Sequence, residues 1–270
     1  MILSKSGISY RRFGVGTPLL LLHGIPGSSA VWEETSALLC KEFDVLLPDL
    51  IGFGGSRPSM DLRELHAEGQ ASALIDLLDE LAIVSVAIAA HDFGGPVAIA
   101  MHAKRPELVS HLALYSSNAF ADTPIPFPLS LVVFPLIGPL VSRLLFSRAS
   151  LHVMLKFGQG RPRGPVNGKN LGDDNQVRST RLIFSESLTR LAELYGPIER
   201  HLGNIASPRT VGWGTSDPFF PIQQGERTAH AMRASFTRFP GAGHFLPEER
   251  PREIAADIAA LVGRRNDAPH

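Results

Sequence analysis

Three side chains have the types and the chain order that nucleophilic hydrolysis needs: Asp92, Asp217 and His244. Each follows an expected strand. In AAHDFGGP (89–96) an apolar run ends at His91-Asp92-Phe93, a strand-to-helix turn with Asp92 at its apex, and Ala90 and Gly94 are small enough to let the backbones pass. Asp217 follows in WGTSDP and His244 in GAGHF, so the order is nucleophile, acid, base. Taken singly, these residues read as a helix cap, an Asp-Pro turn and a loop histidine. Taken together they suit one chemistry. A carboxylate can displace a leaving group from saturated carbon to form an alkyl ester, which water then cleaves at the carboxyl carbon. A serine at the same apex would leave an ether that water does not readily cleave, so Asp suits alkyl transfer as Ser suits acyl transfer. His244 would be the general base on the water, oriented and charge-stabilised by Asp217.

The elements that must position these groups alternate. Strands are expected at Ile8 to Phe13, Leu19 to His23, Asp44 to Pro48, Ser85 to Ala90, His111 to Tyr115, Arg209 to Gly214 and Ser235 to Phe239, those at 19–23, 44–48, 85–90 and 111–115 being apolar. Helices are expected at Ala30 to Leu39, Leu65 to Leu81, Gly94 to Ala103, Gln223 to Met232 and Pro251 to Val262. This rhythm predicts an α/β fold with a mostly parallel sheet covered by helices on both faces, and ligands in such sheets bind beyond the carboxyl ends of the strands. From about 119 to 203 the rhythm is lost. Prolines cluster at 124–139, 156–175 reads as a polar loop, and one helix is expected at Thr180 to Tyr195. The expectation is a core of 1–118 and 204–270 with a mainly helical cap inserted at 119–203.

Bulk properties narrow the function classes. The 270 residues carry 26 Lys and Arg against 26 Asp and Glu, which argues against nucleic acid as a main partner. A single cysteine, Cys40, allows no internal disulfide and fits a reducing, cytoplasmic location. The N-terminus lacks a signal-peptide core. The greasiest stretch, 126–141, is interrupted by prolines and reads as an inner cap wall rather than a membrane-touching surface, with no stable membrane insertion expected. Neither metal-ligand spacing nor a GxxxxGK loop is present, so no metal or cofactor is expected. Arg143, Arg148, Arg161 and Arg163 read as a solvated cap face, with attraction of an anionic substrate as the alternative. A homodimer stays open.

HDFGG, DLIGFGGS, DPFFP and GHF together resemble the α/β-hydrolase fold family over nearly the whole chain, the cap matching least. The HDFGG turn is similar to the HDxGG turn of the epoxide hydrolase and haloalkane dehalogenase branch. The resemblance implies an oxyanion hole from the backbone N–H groups of Ile25 and Phe93. Dehalogenases of this branch place Trp after the nucleophile, and many carry Asn in the HGNP loop. Here Phe93 and Ile25 stand at those places, and the Arg that fluoroacetate-cleaving relatives carry after the nucleophile is absent. Epoxide-cleaving relatives protonate the leaving oxygen from cap tyrosines; this cap has Tyr195, with His152 as a candidate partner, and both also read as ordinary cap packing. His23, Trp213 and Phe245 are the pocket candidates, although Trp213, like Trp32, also reads as packing. The expected substrate is small to medium and largely apolar, with epoxide hydrolysis to a diol the leading reaction. Haloalkane dehalogenation, another hydrolase reaction, and a non-catalytic ligand receptor stay open.

Overall fold

The computed structural model describes residues 1–263 apart from 126 and 161–170. Eight strands form one sheet: β1 (Ile2–Leu3), β2 (Ser9–Phe13), β3 (Thr17–Leu22), β4 (Phe43–Pro48), β5 (Val86–His91), β6 (Val109–Tyr115), β7 (Arg209–Gly214) and β8 (Ser235–Phe239). Their spatial order is β1-β2-β4-β3-β5-β6-β7-β8, antiparallel through β1, β2 and β4 and parallel from β4 onward. The helices of seven or more residues are α1 (Glu33–Leu39), α2 (Ala67–Glu80), α3 (Gly94–Lys104), α4 (Gly138–Leu145), α5 (Arg148–Gly158), α6 (Asp174–Thr189), α7 (Leu191–His201), α8 (Ile222–Met232) and α9 (Pro251–Gly263).

The apolar runs are explained by which side each residue faces. In β3, Leu20 and Leu22 join the core beneath α2, α3 and α8, whereas Leu19 and Leu21 join the one beneath α1 and α9. Successive residues of a strand point to opposite faces, so a strand covered on both must be apolar throughout. Full burial of each leucine contributes about 1.5–3 kcal/mol before chain entropy is set against it. The parallel strands β5, β6, β7 and β8 are consecutive in the sheet, so the carboxyl ends of β5, β7 and β8 place Asp92, Asp217 and His244 along one rim.

The chain between β6 and β7 carries α4 to α7 and has its own small core of Val132, Phe146, Leu151, Leu155 and Leu171, which Phe245 joins from the loop after β8. Phe146 stacks on Phe184 of α6 at 4.8 Å. Several expectations change here. The helix expected at Thr180 to Tyr195 is two helices, broken at Arg190 (φ −126°, ψ 33°), whose guanidinium bonds to Glu186 and Glu193. The expected loop 156–175 is shorter, because α5 runs on to Gly158 and α6 starts at Asp174, capped by the Asp173 carboxylate on the Gln176 N–H. Its centre, with Arg161 and Arg163, lies outside the described residues. The helix expected from Leu65 is interrupted at His66, leaving a single turn, Leu62–Leu65, ahead of α2. Nor is 126–141 simply an inner wall: Val132 turns inward, but Phe134, Leu136, Ile137 and Leu140 face outward.

Candidate active site

Asp92 has φ +49°, a left-handed conformation that costs a non-glycine residue about 1–3 kcal/mol and persists only where surrounding structure enforces it. The enforcement is visible. The Asp92 N–H donates to the Tyr115 carbonyl at 3.1 Å, while the Asp92 carbonyl accepts from Ser117 Oγ at 2.7 Å and from the Gly95 N–H at 3.0 Å. On one side Gly94 passes so near β3 that a Cβ there would lie 2.7 Å from the Leu22 carbonyl. On the other, a Cβ at Gly24 would lie 2.5 Å from Asp92 Oδ2. Both glycines are therefore required by close approach.

The carboxylate is held at both oxygens. Oδ2 accepts the Ile25 N–H at 2.8 Å, and Oδ1 lies 3.5 Å from His244 Nε2. Behind the imidazole, His244 Nδ1 is 2.9 Å from Asp217 Oδ2, and Asp217 Oδ1 accepts the N–H groups of Phe219 and Phe220 at 2.9 and 3.1 Å. Asp217 is thereby fixed as an acceptor facing His244. Burial alone would lower the pKa of His244, but the charges and hydrogen bonds of Asp217 and Asp92 outweigh it and raise it to about 10. Burial alone would raise that of Asp92; the hydrogen bond and charge of His244 reverse this and lower it. The resting pair is carboxylate and imidazolium.

His91 lies directly beneath. Its Nε2 is 2.9 Å from the His244 carbonyl, which can only accept, so Nε2 carries the proton. Burial and the neighbouring His244 charge lower its pKa to about 4, leaving it neutral. Glu249 secures the His244 loop, its carboxylate accepting the N–H groups of Gly243, Phe245 and Gly160 at 2.8, 3.1 and 2.8 Å. The His244 N–H donates to the Gly158 carbonyl at the end of α5 at 2.7 Å. In the sequence His91 was only part of the HDFGG turn and Glu249 carried no signal; the role of His91 rests on a contact 153 positions away, and that of Glu249 on a loop shape that no periodic pattern announces.

A cavity of about 160 Å³ opens over Asp92, Phe93 and His244 and is otherwise mostly apolar, with Leu129, Met154 and Phe184 from the β6–β7 insertion among its walls. Phe245 lines it as expected, and so do Phe219 and Phe220 of DPFFP, whose rings lie 5.1 and 5.6 Å from that of His244. Tyr195 reaches this cavity from α7. Burial and the nearby Asp92 charge push its phenol well above the usual range, and its side chain bonds to Ser187. The hydroxyl therefore stays protonated as a donor.

Three expected positions are corrected. His152 is exposed on the outside of α5, because its neighbours Leu151 and Leu155 take the inward face. His23 is fully buried and does not line the cavity; its Nε2 accepts the Leu50 N–H at 2.9 Å, leaving Nδ1 to donate to the Gly24 carbonyl at 2.9 Å. It ties the HGIPG loop to DLIGFGGS. Trp213 is also fully buried away from the cavity, and its Nε1 donates to the Phe220 carbonyl at 2.9 Å. Side chains on β3 and β7 point into the layers flanking the sheet, whereas the loops beyond them reach the cavity. Among the described residues no group of three or more metal-ligating side chains occurs, and no helix is long and apolar enough to cross a membrane.

Comparisons with known proteins agree with this architecture. An uncharacterised protein of Mycobacterium tuberculosis is 29% identical over 265 residues, covering 90% of this chain and 74% of its own. Epoxide hydrolase 3 of Xenopus tropicalis is 25% identical over 271 residues, covering 93% and 74%. The solved structure of a haloalkane dehalogenase from Bradyrhizobium elkani superposes with a TM-score of 0.78 at 21% identity, covering 96% of each chain, and so shares the fold. The family model for the alpha/beta hydrolase fold matches residues 17–251, from the first parallel strand to the start of the last helix. The chain belongs to the α/β-hydrolase fold family.

Proposed function

We propose that this protein is a cofactor-independent hydrolase with Asp92 as nucleophile, and that its reaction is the hydrolysis of a small, largely apolar epoxide to a diol. The observation that carries the reading is the two-sided hold on Asp92, with Oδ2 on the Ile25 N–H and Oδ1 facing a His244–Asp217 pair. The insertion at 119–203 serves as the cap that supplies most of the apolar walls.

In this mechanism Asp92 Oδ1 attacks a ring carbon, the carbon–oxygen bond breaks, and the leaving oxygen takes its proton from Tyr195, which recovers one from water. The ester removes the Asp92 charge, one of two holding His244 protonated, so the imidazole pKa falls and its proton passes to the solvent, offsetting the one that Tyr195 drew from water. Neutral His244 then accepts a proton from water as the water oxygen attacks Asp92 Cγ. Charge develops on Oδ2, already at the Ile25 N–H, with the Phe93 N–H as the expected second donor. Collapse breaks the ester, His244 returns its proton to the departing alkoxide, the carboxylic acid left at Asp92 passes its proton to His244, and the diol leaves behind the restored carboxylate–imidazolium pair.

Tyr195 favours an epoxide over a halide. A halide needs donors and no proton, and the side chains next to Asp92, Ile25 and Phe93, donate nothing. The cavity is comparable with an engineered cavity of about 150 Å³ that takes benzene, which suits a substrate of aryl-epoxide size. The test is intact mass spectrometry of His244→Gln after exposure to panels of epoxides and haloalkanes. An increase equal to the epoxide mass, mapped to Asp92, is expected. An adduct equal to a haloalkane less HX would replace this reading with dehalogenation, and no adduct from either panel would overturn it.

A further inference from the structure

Of the sixteen exposed large hydrophobic side chains among the described residues, nine fall between 127 and 157, outside the cavity's inner walls. They form stripes. Ile137, Leu140 and Leu144 share one face of α4 and its approach, and Val153 and Phe157 share one face of α5. Between α4 and the short helical turn before it, Phe134 and Leu136 project into solvent, Leu136 being 96% exposed. The turn and α5 both pack on α4, so the stripes belong to neighbouring elements. Exposed apolar surface so concentrated marks a place where something docks.

The charges indicate what. Sequence positions 123–172 contain no Asp or Glu, while Arg143, Arg148 and Lys156 stand exposed among the apolar residues, Arg148 paired with Asp174. The whole chain is neutral, so this basic character is local. An apolar face whose own segment supplies cations and no acids, with only Arg148 among the three cations paired to an acid, Asp174 of α6, matches the boundary of an anionic bilayer, where acyl chains receive the apolar groups and headgroups the cations. A two-fold pairing of this face with a second copy would instead bring the cations together.

We propose that the outer face of the β6–β7 insertion docks reversibly on anionic phospholipid membranes. The face is joined to the cavity by aromatic contacts. Phe157, half exposed at the surface, packs on Phe219 with centroids 6.0 Å apart, and Phe219 meets the His244 ring edge-on at 5.1 Å. A docked protein therefore holds its cavity beside the lipid, whatever reaction the cavity performs.

The test is co-sedimentation of the full chain with vesicles of phosphatidylcholine alone or of an equimolar mixture with phosphatidylglycerol. Binding to the mixed vesicles is expected, weakening with added salt. Leu136→Glu/Leu140→Glu should weaken it at least about 10-fold through lost insertion. Arg143→Glu/Lys156→Glu should weaken it at least about 30-fold through the headgroup charge. All four positions are exposed, so unchanged melting temperatures are expected and will show that the variants fold. Three results would overturn the proposal: no sedimentation with mixed vesicles, equal binding to phosphatidylcholine alone, or a concentration-dependent dimer that Leu136→Glu/Leu140→Glu dissociates.

Discussion

Replacing Gly24 by alanine would place a methyl group 2.4 Å from Asp92 Cβ, 2.5 Å from its Oδ2 and 2.9 Å from its Cγ. Atoms do not approach so closely without bonding, so the whole Asp92 side chain, Cβ included, must retreat by about 1 Å. The 2.8 Å bond from the Ile25 N–H then stretches to about 3.8 Å, beyond hydrogen-bonding range. In the mechanism proposed here that donor stabilises the charge formed on Oδ2 during ester hydrolysis, and loss of one such donor lowers kcat by about 10²–10³. Gly24 does not have a positive φ, so alanine suits the backbone and the fold should persist. Steady-state diol formation from an aryl epoxide, run beside intact mass spectrometry, is the assay. Gly24→Ala should lose about 10²–10³ in kcat, accumulate the Asp92 ester during turnover and melt within a few degrees of the parent. Gly203→Ala, where an added Cβ meets nothing closer than 3.9 Å, is the control. Turnover by Gly24→Ala equal to that control, or a loss of turnover with no ester accumulating, would refute the assignment of Oδ2 to the developing charge.

Tyr195→Phe removes the proton donor and should lower epoxide turnover by about 10²–10⁴, with the cavity intact by melting temperature; an unchanged kcat would sink the assignment. His152→Ala should leave both kcat and stability unchanged in the same assays, because the side chain is exposed. Glu249→Ala strands the N–H groups of Gly243, Phe245 and Gly160 and should cost about 3 kcal/mol in denaturant unfolding. Stability should also respond to pH. With His244 raised to about 10 when folded, against about 6.5 when unfolded, its contribution is fully present below pH 6.5 and lost as pH rises towards 10. Melting curves from pH 6 to 10 should show this decline in the parent and a shallower one in Asp217→Asn, which removes one of the two carboxylates that raise the imidazole.

The sheet was legible in the sequence because its central parallel strands are buried on both faces and must be apolar throughout, as Leu19 to Leu22 and Val86 to Ala90 are, whereas the edge strand β8 is neither. Asp92, Asp217 and His244 were legible for a related reason. Each ends or follows a parallel strand, and the carboxyl ends of such strands share one rim, so chain position alone predicted their meeting. The β6–β7 insertion was far less legible. Its helices obey no two-sided burial rule, so the break at Arg190 and the outward turn of Leu136 and Leu140 carry no periodic signature.

Strand ends say where a loop emerges and nothing about which side chains bend back over the rim. Only the tertiary structure separated Phe245 and Tyr195, which reach the cavity, from His23 and Trp213, which support it from within, and from His152 outside. It likewise showed Glu249 and His91 holding the His244 loop in place. Local sequence determines periodic burial and the residues at strand ends, because those follow from backbone geometry. The walls of a cavity are set by contacts between residues tens to more than a hundred positions apart, and these exist only once the chain has folded.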